Sequence, residues 1–157
     1  MKDLHSKISV VQAIAPKTYS TGISGTADVD LQGYNSCEIE ITFGDHADTL
    51  SAAVDFDVTL HDSPDTAGVH GDWTDVAAAG LLGCMDDYPS SGIILHVEDD
   101  ADTNQVYRIG YVGGERFIKL DVATNGTHAT GTIIGVNVIK GDPELAPVAD
   151  TVPTMPA

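Results

Sequence analysis

The chain has 157 residues, 42% of them hydrophobic and 20% charged, which suits one domain with a substantial core and excludes a disordered tail. With 24 Asp and Glu against 7 Lys and Arg, its formal charge of -17 repels phosphate backbones, so no direct nucleic-acid binding is expected. No stretch approaches the roughly 18 apolar residues of a membrane span, and the acidity fits colloidal solubility, a host in salty water, or a charged display surface.

The opening "MKDLHSKISVVQAIAP" does not read as a signal peptide. Asp3 lies in the would-be positive segment, Gln12 interrupts the apolar run, and Pro16 follows the Ala-x-Ala directly. Residues 1–22 read instead as an N-terminal arm with only a little strand character. Strands dominate beyond it. In "CEIEITF", Cys37, Ile39, Ile41 and Phe43 alternate with Glu38, Glu40 and Thr42; in "VDFDVTLH", Val54, Phe56, Val58 and Leu60 alternate with Asp55, Asp57, Thr59 and His61. Period-two alternation places one face on a core and one in water, as in antiparallel sheets. Acidic outward rows also hinder edge-to-edge aggregation. Cys37 and Cys84 fit no ligand or redox spacing, and Cys37, on an apolar face, reads as a buried free thiol.

"HDSPDTAGVHGDW" is rich in turn formers, and "DWTDVAAAGLLG" admits one helical turn limited by Gly80 and Gly83. Further strands are expected at 92–97 and 130–139, the second broken by Gly135 at a bulge or a close backbone approach. In "YRIGYVGGERFIKLDV", Gly113-Gly114 reads as a two-residue type I′ hairpin loop. That register pairs Tyr111 with Arg116, Ile109 with Ile118 and Tyr107 with Leu120 on the buried face. On the other face it sets Gly110 under Phe117, and Arg108 opposite Lys119 with Asp121 on the diagonal. Pro143, Pro147, Pro153 and Pro156 mark an extended tail. The sum is an all-β chain: a single antiparallel β-sandwich or barrel over 23–140, with the arm 1–22 and a Pro-rich tail 141–157.

Little points to chemistry. In "EDDADTNQ", Asp100, Asp102 and Asn104 match the first EF-hand ligands, but Gln105 replaces the turn glycine and Tyr111 the bidentate carboxylate. An EF-hand is excluded, and the loop reads as a solvated acidic turn with a weak Ca²⁺ site as the alternative. The six histidines form no metal spacing, although His61 and His70 flank one loop and could meet in space. Nucleophile elbows, phosphate-cradling glycine loops and Cys/His pairings are missing, so no catalytic residue and no cofactor are assigned. Asn125-Gly126-Thr127 spells a glycosylation acceptor but reads simply as a turn.

Several segments together resemble a known family: "MKDLHSKISVVQAIAP", "VDLQGYNSCEIEITFG", "DFDVTLHDSPD" with "WTDVAAA", "VYRIGYVGGERFIKLDV" and "IIGVNVIKGDPELAPV". The chain resembles the small head decoration, or cement, proteins of tailed bacteriophages, which accompany the major capsid protein. "DTAGVHG" and "CMDDYPSSG" depart from that pattern by being longer and more acidic. The resemblance implies a non-enzymatic β-rich protein on the outer capsid surface, made in a bacterial cytoplasm. Its partners would be the major capsid protein and itself, as a homotrimer at local threefold positions clamping adjacent capsomers. Lys2, Lys7 and Lys17 on the arm, with Pro143 and Pro147, are the expected capsid contacts. Two other classes compete: a carbohydrate- or host-surface-binding module using Trp73, Tyr88 or Tyr34, and a hydrolase using paired carboxylates.

Overall fold

Alternating burial builds an all-β sandwich. The computed structural model describes residues 3–24, 27–83 and 92–146. The strands are β1 (Ile8–Tyr19), β2 (Val29–Asp30), β3 (Tyr34–His46), β4 (Asp55–Ser63), β5 (Asp65–Thr66) and β6 (Val69–His70). They continue with β7 (Thr74–Asp75), β8 (Leu81–Leu82), β9 (Ile93–Val97), β10 (Gln105–Tyr111), β11 (Phe117–Asn125) and β12 (Thr132–Pro143). One sheet has the order β1-β12-β3-β10-β8; the second has β2-β11-β4-β7 with β9 also paired to β4; β5 and β6 form a small ribbon. Every named pairing is antiparallel. Neither sheet closes on itself, so the sandwich is realised and not the barrel.

The core lies between the two sheets. β3 turns Cys37, Ile39, Ile41 and Phe43 inward, and β4 answers with Phe56, Val58 and Leu60. Phe43 and Phe56 meet edge to face at 5.6 Å across the gap. Each such side chain contributes about 1.5–3 kcal/mol by leaving water. Cys37 is free, and its burial pushes the thiol pKa up to about 12. Cys84 lies outside the described residues. Ala78–Gly80 forms the single turn expected there, as a 3-10 helix.

Two expectations are corrected. Residues 8–19 of the expected arm are an integral edge strand, paired with β12 along its length and burying Ala13 and Ile14. The bulge expected around Gly135 falls on this partner strand, at Ala15-Pro16, and a β-carbon on Gly135 would stand 3.0 Å from the Pro16 Cβ. A proline tolerates that position because a bulge leaves its missing N–H unmissed. At the other end, β12 runs through to Pro143, so the sheet takes the first residues of the expected tail; residues 147–157 lie outside the described set.

The second correction concerns the glycine turn. β10 and β11 do not pair. Ile109 sits opposite Ile39 in the first sheet, whereas Ile118 sits opposite Val29 and Asp62 in the second. The segment between them is an arch crossing from one sheet to the other. Only Gly114 has positive φ, at 87°, while a type I′ turn requires it at both central residues. The arch is held from outside: the Val112 N–H donates to the Gly80 carbonyl at 2.8 Å, and the Leu31 N–H to the Arg116 carbonyl at 2.8 Å. The outward pairs change accordingly. Gly110 lies between Glu38 and Leu82, Arg108 donates to Glu38 at 2.8 Å, and Phe117 is covered by the Arg116 guanidinium at 4.7 Å.

Candidate functional site

Two strand ends and a tight turn assemble a cluster of ligand-type side chains. β3 ends at His46, and the chain continues through Asp48. β11 ends at Asn125, where Gly126 (φ +77°) turns back so closely that a β-carbon would lie 2.3 Å from the Ala53 carbonyl oxygen. Only glycine fits there. The turn it permits delivers His128 under the Phe56 ring at 4.3 Å, with His46 on the same ring at 5.4 Å. Both histidines are buried. His46 Nε2 lies 3.2 Å from His128 Nδ1, and His128 Nε2 lies 2.9 Å from the Asn125 carbonyl oxygen. His46 Nδ1 stands 2.8 Å from the Asp48 carbonyl oxygen and 3.1 Å from the Asp48 amide nitrogen. The Asp48 carboxylate accepts from the Thr130 N–H at 3.0 Å. That bond, first among its partners, holds its pKa below the usual carboxylate range, and His46 adds to the effect.

Asn125 links this cluster to a second. Its amide donates to Asp55 at 2.6 Å and Asp57 at 2.9 Å, two carboxylates on the outer face of β4. Asp55 is outward but buried beneath that amide. His96 of β9, in register with Asp57, bonds it at 2.6 Å and approaches Glu98 at 3.4 Å. The Asp57 hydrogen bond chiefly raises the His96 pKa. In each cluster, His46/Asp48/His128 and Asp55/Asp57/His96, one ligand atom per residue lies within 4.8 Å of the others. Each set gathers ligand-type side chains, which by itself does not make an ion site. The sequence reading missed both, and the available signals were only the short spacings "HAD" at 46–48 and "DFD" at 55–57.

The expected residues lie elsewhere. Asp100 caps the Leu50 amide at 2.9 Å, Asp100–Asp102 form a 3-10 turn, and Asn104 follows in left-handed backbone. Among the described residues, neither Asp100 nor Asp102 belongs to a metal-type cluster. Lys7 and Lys17, both exposed, flank most of β1 and so stand roughly 30 Å apart at strand rise; Lys2 and Pro147 lie outside the described residues. Pro143 pairs with Tyr34, whose ring carries the Lys140 ammonium at 4.5 Å. Trp73 is half-buried against His70 at 4.9 Å and Lys119 at 5.0 Å, and Tyr88 is outside the described residues. His61 and His70 take separate partners, His61 with Asp75 and Asp121, His70 with Asp28.

A shallow groove of about 750 Å³ runs past Tyr34, Glu38, Asp65, Tyr111, Glu115 and Arg116. Two of its carboxylates are tied to arginines, Glu38 to Arg108 and Asp65 to Arg116. Asp65 is also held below the usual range, mainly by the Gly68 amide and then by Arg116. A general acid needs the opposite displacement. Comparison with protein families, with curated sequences and with solved structures finds no match.

Proposed function

We propose that the chain is a virion structural protein that decorates and stabilises the outer surface of a tailed-phage capsid, bridging adjacent capsomers as a homotrimer at local threefold positions. The observation that carries this reading is the contrast between the two outer sheet faces. The first sheet presents Val10, Leu82, Val106 and Ile133, each between 49% and 60% exposed, around Glu38, Glu40 and Arg108. The second presents Asp57, Asp75 and Asp121 with His61, His96 and Lys119. A part that works by touching neighbours wants one sticky face and one that water prefers. The first face meets the shell or a sister subunit; the anionic face remains in solvent and discourages stacking of unrelated particles. A contact of about 1,600 Å² would be of standard size, and repetition around a shell multiplies modest affinity.

The test is direct. The purified chain should sediment as a trimer and bind its own expanded capsids, and Val106→Glu should weaken that binding about tenfold or more without unfolding the sandwich. A monomer without affinity for capsids, whose removal leaves virions unchanged to heat and chelators, would end the proposal. The carbohydrate alternative retains a half-exposed Trp73, but the ring packed beside it is the His70 imidazole, and Lys119 lies over the indole.

A further inference from the structure

We infer that His46, Asp48 and His128 form a binding site for a first-row divalent cation of the zinc class, which fastens the turn after β3 to the turn before β12. This goes beyond the decoration reading and stands or falls without it. Both outer ring nitrogens face backbone carbonyls: His128 Nε2 faces Asn125 O at 2.9 Å, and His46 Nδ1 faces Asp48 O at 2.8 Å. A carbonyl oxygen can only accept, so each of those nitrogens is best satisfied carrying a proton. In neutral rings that leaves lone pairs on His46 Nε2 and His128 Nδ1, whose nitrogens lie 3.2 Å apart. Two lone pairs so close repel unless a cation bridges them, and a metal ion would do so from the apex of a triangle with the two nitrogens. With both rings neutral, the alternative is a proton on His46 Nε2, with His46 Nδ1 accepting from the Asp48 amide at 3.1 Å; this turns its closer neighbour, the carbonyl, into a lone-pair repulsion.

The spacing suits a metal. Two nitrogens 3.2 Å apart, each about 2.05 Å from one ion, subtend about 103° at it, near the roughly 109° of a tetrahedron. Imidazole ligands that donate their second N–H to a backbone carbonyl have fixed tautomers and stronger basicity. Asp48 supplies the third ligand by closing in from a separation within 4.8 Å, and a water completes the shell. Two imidazoles and one carboxylate select zinc, cobalt or nickel over calcium or magnesium, which prefer oxygen alone. Phe56 shields the site from one side, and both rings are buried. The Asp55/Asp57/His96 cluster is the weaker candidate, because its histidine is already committed to Asp57 at 2.6 Å and stands 39% exposed at the side chain.

The 157-residue chain, stripped with chelator, is titrated with Co²⁺ and then with competing Zn²⁺. We expect a saturable one-to-one visible absorption band that Zn²⁺ abolishes, and a higher melting temperature with Zn²⁺ bound. His128→Gln should abolish the band, and Asp48→Asn, at a half-exposed position that leaves the core untouched, should weaken Zn²⁺ binding about tenfold or more. His96→Gln should leave both unchanged. Wild-type protein without stoichiometric binding, full affinity in Asp48→Asn, or loss of the band in His96→Gln would each overturn the assignment.

Discussion

Tyr111→Phe is the sharpest probe of how the two sheets are joined. Tyr111 leaves β10 in the first sheet, and its hydroxyl donates to Asp62 Oδ2 of β4 in the second at 2.8 Å. The same oxygen accepts from the Glu115 N–H at 3.1 Å, so it also fixes the arch. Asp62 is 9% exposed, and its other oxygen receives the Thr74 hydroxyl at 3.0 Å. Burial first, then the bond to Asp62, pushes the tyrosine pKa upward, so the group remains a donor well into alkaline solution. The phenylalanine keeps the ring and its packing, including its cover over Gly113, where a β-carbon would fall 2.5 Å from the ring. What is lost is a hydrogen bond to a buried carboxylate, about 1.5–3 kcal/mol, and the hydrogen bond donated by the Glu115 N–H, about 1 kcal/mol. The expected destabilisation is about 3 kcal/mol, or roughly 6–12 °C in melting temperature for a chain of this size. Urea unfolding followed by the single tryptophan, Trp73, measures it, with an unchanged slope as the sign that only stability moved. Thr74→Val, removing the more exposed bond to the same carboxylate, should cost about 1 kcal/mol. A loss below about 1 kcal/mol in Tyr111→Phe would mean that Asp62 finds water and that the bridge does not hold the sheets together.

Two further outcomes follow from the site end of the sandwich. His96 has a folded pKa raised above its ordinary 6.5, first by Asp57 and further by Glu98 and Asp55, so its contribution to stability is complete below that value and is lost as pH rises through the folded one. Urea midpoints should therefore fall as pH rises above about 6.5 in the wild type, and His96→Gln should flatten that decline; an equal decline in the variant would place the effect on other histidines. Gly126→Ala must put a β-carbon 2.3 Å from Ala53 O at φ +77°, which should cost on the order of 3 kcal/mol. Thermal melts check it, and a loss below about 1 kcal/mol would show that the turn relaxes freely.

How much of the fold was legible follows from what period two encodes. Alternation states which side chains point inward, and Ile39, Ile41, Val58, Leu60, Ile109, Ile118 and Leu120 are all buried as read. It does not state which strand lies beside which. Ile109 and Ile118 satisfy the pattern equally as neighbours within one sheet or as opposing residues across a core, and the structure takes the second arrangement. What decides is outside the segment: Gly80 and Leu31 capture the arch backbone, and β3, β8, β2 and β4 capture the flanking strands. The same limit hid β1. Its bulges break the alternation, so "VVQAIAPK" carries too little period to announce a strand, although its partner β12 holds it throughout.

The His/Asp cluster was hidden for a different reason. A metal motif is visible in sequence when one helix or one turn supplies several ligands at fixed spacing. Here His46 and His128 are 82 residues apart and meet only because β3 and β12 are neighbours, with Thr132 in register with His46. The strand that carries one histidine out of the sheet lies beside the strand into which the other's turn leads. Sheet register thus does the work that helical periodicity does elsewhere, and it is fixed by buried residues that carry no chemistry. A cation at that corner would tie the two strands where their pairing runs out, which is where a sandwich under outward load would begin to open. If that is the ion's role, the first sheet should fray first at His46 and Thr132 once Zn²⁺ is withdrawn. Amide exchange should rise at Thr130 and Thr132 under chelation, while Ile39 and Val138, in the middle of the same strand pair, remain protected.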